Sequence, residues 1–129
     1  MEELKSYFDN TDGTGVMSTA DSDGKVNSAI FSRPHILDDG SIAFIMRDRL
    51  TRHNLQSNPH ASFLFIENGP GYRGKRLYLN KIREEENSEL INSLSRREHR
   101  DNKPGTRYLV VFQLEKILPL VGTGDGHEQ

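Results

Sequence analysis

Three arginines and a threonine crowd one short polar stretch between two apolar runs: Arg47-Asp48-Arg49-Leu50-Thr51-Arg52-His53-Asn54. Guanidiniums donate paired N–H groups to phosphate or carboxylate oxygens. Thr51 stands where a short helix is expected to begin, and a helix start presents backbone N–H groups that no upstream carbonyl accepts. Cationic side chains, a hydroxyl and open amides together make a seat for an anion, and a phosphate dianion gains most from it. A solvated basic loop is the plainer reading of any three arginines; the adjoining helix start is what favours phosphate. Ser28 and Ser32 are spaced i, i+4, which puts both hydroxyls on one face of a strand. The other chemistry is thinner. With no cysteine, disulfides, thiolate catalysis and cysteine metal sites are excluded. His35, His53, His60, His99 and His127 have no partners at ligand spacing, so no metal site is expected. No Ser-His-Asp set can be nominated from spacing.

The elements that must hold this stretch follow from periodicity and turn chemistry. Residues 1–10 predict a short helix with Leu4, Tyr7 and Phe8 on one stripe. Residues 16–20 and 26–33 predict two strands joined by the Asp21-Ser22-Asp23-Gly24 reversal, and Pro34 bars the second from continuing as a central strand. After the Asp38-Asp39-Gly40 turn, residues 41–46 form an almost unbroken apolar run, the mark of a strand buried on both faces. Residues 51–58 predict a helix with Thr51 as N-cap and Leu55 as apolar anchor, stopped by Pro59. Strands follow at 61–67 and 75–83, then a helix at 84–99 with Leu90, Ile91 and Leu94 at helical spacing. A last strand at 107–121 sets Tyr108, Val110, Phe112 and Leu114 on one face. About six strands joined by short reversals favour a largely antiparallel sheet closed, or nearly closed, into a barrel.

Bulk properties are consistent with that outline. A chain of 129 residues suits one domain and one core, with residues 1–14 as an N-terminal helix and turn and 122–129 as a polar tail. A formal net charge of −2 gives no global field to attract nucleic acid. The run Arg96-Arg97-Glu98-His99-Arg100 is interleaved with acid and lacks aromatic platforms, so no nucleic-acid partner is expected. The Tyr72-Arg73-Gly74-Lys75-Arg76 cluster reads as a basic hairpin edge. Gly122-Thr123-Gly124-Asp125-Gly126 opens no helix and is not a dinucleotide fingerprint. Residues 1–15 carry four acids and no apolar run, and no stretch approaches a membrane span; a cytoplasmic protein with no membrane partner is the expectation.

The order of these pieces resembles a known family, the FMN-binding split barrels related to pyridoxamine-phosphate oxidase. The likeness spans roughly residues 15–121. It is carried by Gly-Val-Met-Ser-Thr-Ala, the Asp-Asp-Gly hairpin, Phe44-Ile45-Met46, Thr51-Arg52-His53-Asn54-Leu55 with Asn58-Pro59, Ala-Ser-Phe-Leu-Phe, and Arg76-Leu77-Tyr78-Leu79. The resemblance implies a mostly β fold, a six-stranded antiparallel split barrel. It also implies a homodimer with flavin mononucleotide (FMN) lodged between subunits. Carried over by position, Asn27, Ser28, Ile30 and Ser32 on the second strand and Arg49, Leu50 and Thr51 at the turn would hold FMN. Arg52 could supply a further cation, and Met46 and Arg47 would meet the flavin ring. The oxidase branch has Arg-Lys where this chain has Leu50-Thr51, and residues that would hold a pyridoxal substrate are not evident. The resemblance therefore implies a flavin-dependent oxidoreductase or electron-transfer protein acting on an unknown small molecule. Its rivals are a non-catalytic sensor module for haem or a deazaflavin on the same barrel, and an interaction domain with no cofactor.

Overall fold

The computed structural model describes residues 2–95 and 105–122. In chain order the elements are α1 (Glu2–Asn10), β1 (Gly13–Ala20), β2 (Val26–Phe31), β3 (His35–Ile36), β4 (Ile42–Arg47), α2 (Leu50–Ser57), β5 (His60–Glu67), β6 (Gly74–Glu86), α3 (Glu89–Ser95) and β7 (Arg107–Pro119). All strand pairs are antiparallel and form one sheet in the order β2-β1-β5-β6-β7-β4-β3. The sheet has seven strands rather than six. The extra one is the two-residue β3, squeezed between Pro34 and the Asp38-Asp39-Gly40 reversal, pairing only with Ile42 and Ala43. The reversals form as their residue types dictate. Asp21 Oδ1 accepts the N–H groups of Asp23 and Lys25, each at 2.9 Å, while Gly24 takes φ +81°.

Inward-facing side chains from almost every strand meet in one core. Met17, Phe44, Phe63, Leu77, Leu79, Val110 and Phe112 are fully buried there, and α1 closes one end with Leu4 and Phe8. Phe63 is the hub, with its ring centroid 4.9 Å from Phe44, 6.3 Å from Phe8 and 6.4 Å from Phe65. The sheet is rolled: Phe31 of β2 and Phe44 of β4, far apart in strand order, lie with centroids 6.2 Å apart. β4 is buried on both faces as its composition predicts. Ile42, Phe44 and Met46 enter the barrel core, while Ala43 and Ile45 join Leu109, Val111 and Ile91 under α3. Close approach also fixes a glycine. A Cβ on Gly74 would sit 1.9 Å from the Phe65 carbonyl oxygen, so only glycine lets β6 start against β5.

One element differs from its periodicity. Residues 84–86 belong to β6, opposite Val110, Leu109 and Tyr108 of β7, and the helix begins only at Glu89. Three consecutive glutamates favour helix in isolation, but the long β6–β7 ladder, with irregularities at Tyr78/Leu79 and Lys81/Arg83, carries the strand through them. Asn87, at φ +45°, ends it; its Oδ1 accepts the Arg107 N–H at 2.8 Å. The rest of the predicted helix to His99, the 96–100 basic run and the tail from residue 123 lie outside the described residues. No helix among the described residues is long and apolar enough to cross a membrane.

Replacing Phe63 by Ala removes the central ring of the barrel and leaves a cavity its neighbours cannot fill. We expect a loss of about 3–5 kcal/mol in unfolding free energy by urea titration; a loss below about 1 kcal/mol would show that the core repacks without that ring.

Candidate functional site

The rolled sheet does not close. Among the described residues β2 pairs only with β1, and β4 is covered on its far edge by β3 for two residues alone, so Phe44 to Arg47 have no strand neighbour there on that side. Between these two edges lies a cleft of about 390 Å³, lined by residues of β2 and its end, of β4 and of the start of α2. Ladder alternation decides which backbone groups face it. Ser41 accepts the Leu37 N–H and Ala43 opposes His35, so Ile45 and Arg47 turn their backbone groups toward the same open edge, where the Arg47 carbonyl accepts the Arg49 N–H at 3.0 Å. Unpaired strand edges are polar groups in search of a partner.

The start of α2 closes one end of the cleft. Its first backbone bond runs from the His53 N–H to the Arg49 carbonyl, 2.9 Å, and Arg49, the N-cap residue, supplies no side-chain cap. The N–H groups of Leu50, Thr51 and Arg52 thus have no acceptor among the described residues, as for any uncapped helix start. Thr51 is not the N-cap. It sits one residue into the first turn, buried, with its Oγ1 3.4 Å from the Asn27 Nδ2. The three arginines diverge. Arg49 is exposed, and its guanidinium makes no hydrogen bond or ion pair among the described residues. Arg47 donates to the Gly105 carbonyl at 3.0 Å.

Arg52 points the other way. Its Nη1 meets Asp48 at 3.0 Å, its Nη2 meets Glu84 at 2.5 Å, and its planar face lies 3.6 Å from the centroid of the Tyr108 ring. Glu84 also accepts from Lys81 Nζ at 2.9 Å and Gln56 Nε2 at 3.2 Å. Burial alone would push the Glu84 carboxyl up, but the donors Arg52, Lys81 and Gln56 outweigh it and hold the group down at about 2. A second polar contact fixes the other side of the helix: Asn54 Nδ2 donates to Thr19 Oγ1 at 3.1 Å, both side chains buried. Leu55 packs beneath as the apolar anchor, and His53 is exposed.

Of the residues named from sequence, Asn27, Ile30, Ser32, Met46, Arg47, Arg49, Leu50 and Thr51 line this one cleft. Ser28 and Arg52 do not. Ser28 lies on the opposite face of β2 from Asn27, with its Oγ 2.8 Å from Ser18 Oγ. The period-two argument that joined Ser28 to Ser32 fails because β2 ends at Phe31. Arg52 is held away by two carboxylates and an aromatic face. The cleft also includes Ala29, Phe31 and Ile45, apolar or small residues whose types carry no chemical signal. Their position opposite an unpaired edge appears only once the sheet is rolled. Glu84 was likewise hidden in a run of three similar acids.

No family model matches the chain, and no curated protein does. Solved structures match across nearly its whole length. An FMN-binding protein from Syntrophomonas wolfei subsp. wolfei is 24% identical with a TM-score of 0.75, the match covering 92% of this chain and 84% of that one. An F420 reductase is 16% identical with a TM-score of 0.71, covering 88% and 94%. A Lactobacillus delbrueckii protein bearing the name of a pyridoxamine 5'-phosphate oxidase is 14% identical with a TM-score of 0.67, covering 92% of each chain. At these identities the likeness is one of fold: a mostly β, antiparallel split barrel.

The Glu84 cluster gives a pH signature. Its folded pKa lies below the ordinary carboxylate value, so the stabilisation is fully present above about pH 4.5 and is lost as pH falls toward about 2. Glu84→Gln removes the ionised acceptor. We expect the variant to be less stable than the parent by about 1–2 kcal/mol at pH 7. In urea titrations from pH 7 to pH 2.5 the gap narrows below about pH 4.5. A gap constant down to pH 2.5 would rule out the ionised carboxylate as its source.

Proposed function

We propose that this chain binds FMN in the cleft between β2, β4 and the start of α2, as a homodimer, and acts as a flavin-dependent oxidoreductase or electron-transfer protein on a small molecule. The observation that carries the reading is the end of the cleft: an uncapped helix start with three open amides beside an exposed, uncommitted Arg49. That combination favours a phosphate over any neutral group. Arg49, Leu50 and Thr51 would hold the phosphate, with Asn27 steadying the Thr51 hydroxyl. The aromatic ring system of the cofactor would lie along the open β4 edge, where Ile45 offers backbone groups and Met46, Ile30 and Ser32 form the walls. The bound flavin supplies the electron-accepting and electron-donating chemistry; the protein anchors it, sets the polarity around the ring and limits access. The likeness in fold to an FMN-binding protein and to an F420 reductase supports a flavin-type ligand. The second of these makes a deazaflavin the competing cofactor.

The dimer accounts for an otherwise costly surface. On the outer face of the sheet Ile30, Val16 and Leu64 stand in one cross-strand row with Ile66 in the next, while Val26 lies two rows away, beyond the row of Ser28, Ser18 and Ser62. Val26 and Ile30 are 82% and 72% exposed. Exposed apolar side chains that cluster rather than scatter mark an interaction surface, and this cluster adjoins the cleft through Ile30.

Apo protein titrated with FMN and with riboflavin tests the site. Quenching of flavin fluorescence at micromolar FMN is expected, with a visible flavin spectrum for the complex; no quenching would overturn the reading. Replacing both Arg49 and Thr51 by Ala removes charge-assisted contacts of about 1.5–3 kcal/mol, so FMN binding should weaken about 10- to 100-fold while riboflavin binding changes little. Equal weakening of the two would refute the phosphate position. For the dimer, sedimentation of the parent should give two chains per particle, and Ile30→Asp should give one; a monomeric parent excludes the interface.

A further inference from the structure

Glu84 lines no part of the cleft, yet two side chains of α2, Arg52 and Gln56, converge on it. The helix has only eight residues and is held along two stripes. Thr51, Asn54 and Leu55 form the first, spaced i, i+3, i+4, and face β1 and β2 through Thr19 and Asn27. A helix fixed along one stripe can still roll about its axis, and rolling swings the open amides of its first turn. Arg52 and Gln56, spaced i, i+4, form the second stripe, and both donate to the same carboxylate on β6. Arg52 reaches back to Asp48, just ahead of the helix, and stacks on Tyr108, the cross-strand neighbour of Met46 in the cleft wall. Its two terminal nitrogens and its ring-facing side are thus committed, and its Nε is buried without a partner. Arg52 is in no position to serve as a ligand.

We propose that Glu84 is a positioning residue for the anion seat: through Arg52 and Gln56 it fixes the roll of α2 and so aims the Leu50 and Thr51 amides into the cleft. The proposal rests on the cleft being a flavin-phosphate site. The clamp also keeps Asp48, an exposed acid next to the seat, paired with a cation, so its negative charge opposes an incoming phosphate less. A clamp that serves stability alone would lower the affinities for FMN and riboflavin together, or neither. A clamp that aims the amides affects only the ligand bearing a phosphate.

The test compares Kd values for FMN and riboflavin, by flavin fluorescence at pH 7, on the full chain and three variants. Glu84→Gln removes the charged acceptor. Arg52→Lys keeps a cation but loses the planar fork and the stacking. Tyr7→Phe breaks the 2.6 Å bond to Glu67, outside the cleft lining, and serves as a control for general loosening. Folding is checked by circular dichroism, and if Glu84→Gln does not fold, Arg52→Lys decides. We expect both clamp variants to bind FMN about tenfold more weakly with riboflavin within about twofold of the parent. Tyr7→Phe should leave the ratio of the two unchanged. An unchanged ratio in folded clamp variants, or tighter FMN binding because the freed Arg52 turns to the phosphate, overturns the proposal. A parent that does not prefer FMN to riboflavin removes the phosphate seat itself, which is a failure of the binding site rather than of the clamp.

Discussion

The roll of the sheet around its phenylalanines governs this structure. Phe31, Phe44, Phe63 and Phe112 pack edge-on or tilted in one apolar centre, and that packing brings β2 and β4 toward each other without hydrogen bonds between them. Aromatic rings of this size set the distance at which facing strands stop. Here they stop short of pairing. The cleft is the space left over, and its walls are two strand edges whose backbone groups the sheet does not satisfy. A fold that closed fully would have removed both the edges and the site.

The helix α2 meets one end of that gap, and polar contacts rather than apolar area decide its orientation. It contributes only Leu55 as a large buried apolar side chain. Against that stand Thr19–Asn54, Asn27–Thr51 and the Glu84 cluster, each tying the helix to a different strand. Hydrogen bonds of this kind contribute modestly to net stability but are directional, so they fix the orientation of a helix that buries little apolar area. The cluster resolves an apparent redundancy. Of three arginines within six residues, Arg52 holds the helix, Arg47 holds the loop at Gly105, and Arg49 is left facing the cleft. Identical side chains thereby take up three separate tasks according to which carboxylates and carbonyls lie in reach.

Much of the outline is legible locally. The Asp21–Gly24 reversal, the doubly buried 41–46 run and the single-faced pattern of Tyr108, Val110, Phe112 and Leu114 depend on residue type and period, and the structure shows each. What failed did so for tertiary reasons. The glutamates at 84–86 read as helix, but the β6–β7 ladder overrides their propensity. Two residues at His35–Ile36 are too few to show a period, and they form a strand only because β4 lies alongside. Thr51 has the chemistry of an N-cap, but the helix begins one residue earlier and buries it.

By itself the sequence determined most of the strand segments, where the chain reverses, and that a cationic, hydroxyl-bearing stretch leads into a short helix, because turn chemistry and hydrophobic period are local properties. Only the tertiary structure decided that β2 and β4 face one another unpaired, that Ser28 turns to Ser18 instead of the cleft, and that Glu84 claims Arg52 and leaves Arg49 exposed. Those outcomes depend on the rolling of the sheet, which sets distances between residues far apart in the chain and so assigns each charged side chain the partner within its reach.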